Sequence, residues 1–152
     1  MNPMTEAAKE ITEEQTRHLD SALEHIPEER REWCAGGCAK TPMAIYRECA
    51  RAYLWAAETI RGNEVNWDLL APRVEDCPDF ESAKAALEKN QSEFFAALEE
   101  IDESRLAEMV KMPWGEELSL GQYILLPSYH TCYHVGQLNY IQTLLGDAEF
   151  HF

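Results

Sequence analysis

The stretch Tyr129 to Asp147, YHTCYHVGQLNYIQTLLGD, places two histidines, His130 and His134, one helical turn apart in an otherwise apolar segment. Residues four apart on a helix lie one above the other, so both imidazoles project the same way, together with Leu126, Gln137 and Ile141. Two readings follow. Each ring can be a buried neutral histidine whose nitrogens are bonded to neighbours, or the pair can hold one metal ion that satisfies a nitrogen on each ring at once.

Several histidine-pair sites are excluded by their neighbours. A zincin-type protease carries glutamate directly after the first histidine, and here that residue is Thr131. Di-iron bundles need glutamate three residues before histidine on two helices, a spacing that occurs nowhere in the chain. Cys132 lies two residues from each histidine and therefore points away from any ion they share.

The elements that position the pair are helical. Ala8, Ile11, Leu19, Ala22 and Ile26 recur at helical spacing and predict a first helix from about Thr5 to Ile26, ended by Pro27. Thr41 is a suitable N-cap and Pro42 suits the first helical position, so a second helix is expected to about Arg61, closed by Gly62. Asp79 caps a third, with Phe80, Ala83, Leu87, Phe94, Leu98 and Ile101 on its apolar stripe. Between Asp102 and Leu118 the helical period is lost, and KMPWGEE reads as an extended piece turning at Trp114 and Gly115. The fourth helix is expected from Ser119 to Gly146, kinked by Pro127 just before the histidines. It contains no Asp, Glu, Lys or Arg, which predicts a central helix enclosed by its neighbours. A membrane span is the other reading of such a segment, but Gln122, Ser128, His130, His134, Gln137, Asn139 and Gln142 would be costly in lipid. The fold class is therefore all-α: an antiparallel four-helix bundle with a long connection between helices three and four, and one domain over residues 1–152.

Composition narrows the partners. With 28 acidic and 13 basic residues the net charge is −15, whose field repels phosphate backbones and anionic lipid, so neither nucleic acid nor membrane is expected. The opening MNPMTEAAKEITEEQT lacks the basic leader and apolar run of an export signal, and a cytoplasmic location is expected. Cys34, Cys38, Cys49, Cys77 and Cys132 are odd in number and scattered, which argues for thiols over a disulfide framework. The CAGGC of Cys34 and Cys38 lacks a second ligand pair and reads as loop cysteines.

The order HTCYHVGQL, followed by LLGD, resembles the last helix of the DinB-like superfamily of metalloenzymes, whose pattern H-x-x-x-H-x-G-Q-L is matched at His130, His134, Gly136, Gln137 and Leu138. A weaker match lies at the start of helix two, where the family has Ser or Thr and, about two turns on, a third metal-binding histidine; counted from Thr41, that position is Glu48. The resemblance extends over most of the chain and implies a four-helix bundle with one divalent ion, zinc or nickel, held by Glu48, His130 and His134. This chain departs from the pattern at Glu48, and again at Tyr133 and Val135, where histidine and arginine often flank the last ligand. Two imidazoles and one carboxylate still form a workable open site. Glu48 also shares its helix face with Ala44, Ile45, Ala52 and Trp55, more apolar than a solvated face should be, whereas Cys49 falls with Tyr46, Ala50 and Tyr53 and is expected in the core.

Gln137 and Tyr133 are candidate contacts to a ligand nitrogen or a substrate, and Gly136 would let a neighbouring helix approach. His151 reads as a frayed end in preference to a fourth ligand. The resemblance further implies a small-molecule substrate, transfer of a low-molecular-weight thiol to an electrophile, and a homodimer. A metal-dependent hydrolase using activated water, and a metal-free structural or stress-related bundle, remain the alternatives.

Overall fold

In a computed structural model, which describes residues 2–72 and 76–151, helix α1 spans Pro3–Glu24, α2 Pro42–Ile60 and α3 Phe80–Glu99. A two-stranded antiparallel hairpin follows, β1 Met109–Lys111 paired with β2 Glu117–Ser119, then a single helical turn, α4 Leu120–Tyr123, and the long α5 Leu126–Leu144. Among the described residues no helix is long and apolar enough to cross a membrane. All five cysteines are free thiols, with Cys34, Cys38 and Cys132 exposed and Cys49 and Cys77 buried.

The caps explain the boundaries. Thr41, Asp79 and Ser119 each accept a backbone N–H of the first turn they precede, as their sequence positions predict. Helix α1 begins earlier than its apolar stripe suggests, because Asn2 and Thr5 form a reciprocal capping box ahead of Pro3. Its buried stripe runs through Thr5, Ala8, Thr12, Thr16, Leu19 and Leu23, and Ile11 lies outside it, 40% exposed. Threonine substitutes for aliphatic residues there because each hydroxyl of Thr12 and Thr16 is satisfied by the carbonyl one turn back.

Two expectations for the last helix need correcting. The kink at Pro127 is a complete break: the chain turns at Ile124 and Leu125, and Pro127 enters the first turn of a new helix. There its missing N–H costs nothing, whereas in a continuous helix its ring would strike the preceding turn. Helix α5 is also not enclosed. One face packs on α1 and α2, and the other exposes Tyr129, Tyr133, Tyr140 and Leu144, so an uncharged sequence here marks an aromatic surface.

The four long helices form a bundle with two running each way. Tyr46 meets Phe80 near the start of α2 and α3, and Arg61 pairs with Glu93 and Glu100 toward the end of both, so these two helices are parallel. Gln91 reaches Thr16 and Lys84 reaches Glu24, which sets α1 antiparallel to α3. The connection from Arg61 to Asp79 must therefore travel back along the whole length of α2, and the hairpin-bearing connection before α4 adds a second long excursion.

At the centre, the Tyr53 hydroxyl lies 2.7 Å from Thr16 Oγ1 and 3.0 Å from Thr131 Oγ1. Gln91 donates to Thr16 from α3, and Thr131 is 2.9 Å from the Pro127 carbonyl. These contacts join Gln91, Thr16, Tyr53, Thr131 and the Pro127 carbonyl into one hydrogen-bond chain that links all four long helices. Tyr53→Phe leaves Thr16 and Thr131 with an unmet partner, so it should cost about 1–3 kcal/mol, read as a lower urea midpoint with an unchanged m-value.

Candidate metal centre

Glu48 sits on α2, one turn before the Tyr53 hydroxyl chain, and His130 and His134 bracket Thr131 on α5. The bond between Tyr53 and Thr131 thus fixes the helix register that brings the three together. His134 is buried, its side chain 3% exposed, while Glu48 at 16% and His130 at 30% face the edge of the cleft.

The ring nitrogens His130 Nε2 and His134 Nε2 are 3.2 Å apart, and Glu48 Oε1 lies 3.6 Å from each. A four-coordinate zinc-class ion with ligands at about 2.1 Å holds its donor atoms about 3.4 Å from one another. The observed spacings straddle that value. All three sequence-proposed residues are therefore brought together with metal-ligand spacing and without further rearrangement of the helices.

Two neighbours set the charge state of the cluster. His134 Nδ1 is 2.6 Å from Gln137 Oε1, and the Gln137 amide nitrogen donates to the Tyr133 hydroxyl at 3.0 Å. With the amide nitrogen directed at Tyr133, the amide oxygen faces the ring and accepts from His134 Nδ1, which in the neutral ring leaves the lone pair on Nε2. Of the two candidates from the sequence, Gln137 contacts His134 directly and Tyr133 contacts Gln137. Lys40, which the sequence reading did not pick out, bonds Glu48 Oε2. The two carboxylate oxygens are thereby divided, Oε1 toward the imidazoles and Oε2 toward the ammonium. The Nε2 atoms of His130 and His134, which donate to it when protonated, and after them Lys40, hold the Glu48 carboxyl well below the usual carboxylate range against the opposing effect of burial.

Cys49 offers a competing donor, since its sulfur and a nitrogen of each histidine lie within 4.8 Å of one another. It is fully buried, and that burial pushes its thiol well above the usual value, so Cys49 is a neutral thiol where Glu48 is already an anion. Gly136 has no neighbouring atom close to where a side chain would start, so no helix packs against it; it borders a small hollow with Lys40, Tyr133 and Gln137. His151 is not frayed. It bonds Asp147 at 2.8 Å and stacks on His25 with ring centroids 3.6 Å apart, tying the chain end to the C-terminal end of α1.

Residues 11–138 match the model of the DinB superfamily. The chain belongs to that superfamily. Solved structures agree on the DinB-type fold. YfiT from Bacillus subtilis, described as a probable metal-dependent hydrolase with an unusual four-helix bundle topology, is 13% identical, with a TM-score of 0.73 over 96% of this chain and 90% of its own. YjoA, a DinB-like protein from Bacillus subtilis, is 15% identical, with a TM-score of 0.64 over 94% and 96%. A mutant of the mycothiol-dependent maleylpyruvate isomerase is 12% identical, with a TM-score of 0.69 over 91% of this chain and 63% of that one. No curated protein matches.

The Gln137 contact makes a checkable statement about this DinB-type site. In metal-free protein, long-range proton–nitrogen correlation spectra should show His134 as the single Nδ1–H tautomer. In Gln137→Leu the same ring should appear as a tautomer mixture, with the helical signal unchanged.

Proposed function

We propose that the chain is a divalent-metal-dependent enzyme in which Glu48, His130 and His134 hold a zinc or nickel ion, and that it transfers a low-molecular-weight thiol to an electrophile. The observation that carries this reading is the meeting of three donor atoms within 3.6 Å, one of them locked in the metal-accepting tautomer. When bound, such an ion acidifies a coordinated thiol or water and so supplies a nucleophile at neutral pH.

The protein's own groups favour an anionic sulfur there. Two neutral imidazoles and one carboxylate leave a divalent ion with net positive charge, and Lys40 adds a second cation beside Glu48. Gln137 holds the His134 ring so that its Nε2 lone pair stays aimed at the site. The cleft on the His130 side is walled by apolar and aromatic side chains, which disfavours water relative to an organic reactant. A mycothiol-dependent isomerase among the structural neighbours is consistent with thiol chemistry on this fold, and YfiT with the hydrolytic alternative in which water takes the thiol's place.

Protein purified without a nickel column or chelator should carry close to one equivalent of metal by elemental analysis. His134→Ala should lose it while keeping its helical circular dichroism, and Gln137→Leu should weaken affinity about 10–100-fold by loosening the ring. Full metal content in His134→Ala would place the site elsewhere, and metal-free wild-type protein would favour a structural bundle. For the loaded enzyme, turnover of a chromogenic electrophile should require added thiol, such as bacillithiol, mycothiol or glutathione. Equal turnover without any thiol would reassign the reaction to hydrolysis.

A further inference from the structure

Beside the histidine pair lies a cavity of about 820 Å³ whose walls come from four separate parts of the chain. Helix α2 supplies Trp55, the returning connection supplies Trp67, the hairpin tip supplies Trp114, and the start of α5 supplies Leu126, Pro127 and His130. Trp55 is the hub. Its ring centroid lies 6.3 Å from that of Trp67 and 6.4 Å from that of Trp114. The two interplanar angles, 83° and 46°, present an indole edge and a tilted face instead of a closed stack.

Two features separate this cavity from a gap between packed loops. In a chain that is 27% charged, no Asp, Glu, Lys or Arg among the described residues lines it, and the polar groups of those residues are confined to Asn66, Tyr129 and His130. Its volume also falls in the range that encloses a drug-sized molecule. The walls are held in place from outside the cavity: the Arg51 guanidinium packs over Trp67 at 5.0 Å, and the Trp114 indole donates to Glu116 at 2.9 Å. Trp114 nevertheless remains 59% exposed at the mouth, an indole surface that an occupant would cover. Because His130 belongs to both the cavity wall and the donor cluster, anything filling the cavity abuts the reacting end of the site.

We infer that this cavity binds the organic body of the electrophile, and that the substrate class is an uncharged molecule with a flat aromatic or alicyclic group of about naphthalene size or larger. The inference rests on the enzyme reading for the word substrate, but the binding itself does not require the ion. The three indoles supply apolar area and ring edges, and burying a charge among them without a counter-ion would cost more than the contacts return. Discrimination against anionic analogues of the same shape follows from that cost.

The test uses N-phenyl-1-naphthylamine, a neutral probe whose emission rises in apolar surroundings and can be excited through tryptophan. Chelator-treated protein should bind it saturably with energy transfer from tryptophan. Trp67→Ala and Trp114→Ala should each weaken binding on the order of tenfold. Trp114→Phe, which keeps an aromatic ring at the mouth, should restore most of it, which separates loss of a wall from loss of fold. The alcohol 1-naphthalenemethanol should displace the probe at least tenfold more effectively than 1-naphthoate, which has the same ring system with a charge. His134→Ala should bind the probe as wild type does, so a failed metal assay with intact probe binding would overturn only the metal reading. Non-saturable binding, alanine variants that bind like wild type, or equal displacement by the anion would overturn the cavity assignment, whatever the metal content.

Discussion

The Tyr53 hydroxyl is the contact on which the geometry of this molecule turns. It sits where α1, α2 and α5 meet and is hydrogen-bonded to both Thr16 and Thr131, so a slip of either α2 or α5 by one residue would strand buried hydroxyls. Hydrophobic packing alone does not fix register so firmly, because apolar side chains on helices tolerate shifts that keep total burial constant. A directional polar chain does. Its position one turn from Glu48, and one residue from His130, means that the constraint which sets helix register also sets the distance between donors contributed by two helices.

The donor cluster is a region of concentrated electron density inside an already acidic protein. His134 presents a lone pair because Gln137 has taken its proton-bearing side, and Glu48 is an anion because two imidazoles and Lys40 favour its charged form. Such a cluster is stable only with a cation or a proton shared among its members. The supporting groups are themselves tied down: Tyr133 fixes which way the Gln137 amide faces, and Lys40 fixes which Glu48 oxygen faces inward.

The parallel arrangement of α2 and α3 accounts for the rest of the site. An antiparallel pair needs only a short turn, whereas a parallel pair needs a connection as long as the helix it retraces. That connection carries Trp67 to the face of Trp55, and the hairpin ahead of α4 carries Trp114 to the same place. The long loops are thus a consequence of helix direction, and the aromatic cavity beside His130 is built from them. On α5, the same uncharged sequence that lines the donor cluster leaves Tyr129, Tyr133 and Tyr140 on the outer face.

The amino-acid sequence by itself determined the helices, their caps at Thr41, Asp79 and Ser119, the free state of the cysteines, and the shared direction of His130 and His134. The helices, caps and histidine direction rest on local backbone geometry, in which a residue's neighbours along the chain decide the outcome, and the thiols on the odd, scattered set of cysteines. Glu48 was legible chiefly through the family pattern, with the apolar face it shares with Ala44, Ile45, Ala52 and Trp55 as the one local sign against a surface carboxylate. The exposure of α5 was misread because the absence of charge reports what a face avoids and not what covers it. Helix direction, the pairing of Lys40 with Glu48 and the meeting of three tryptophans were decided by tertiary structure alone. Helix direction and the tryptophan cluster join residues across long connections, in which no periodicity or cap encodes which ends will meet, and Lys40 meets Glu48 only through the path of the chain ahead of the Thr41 cap.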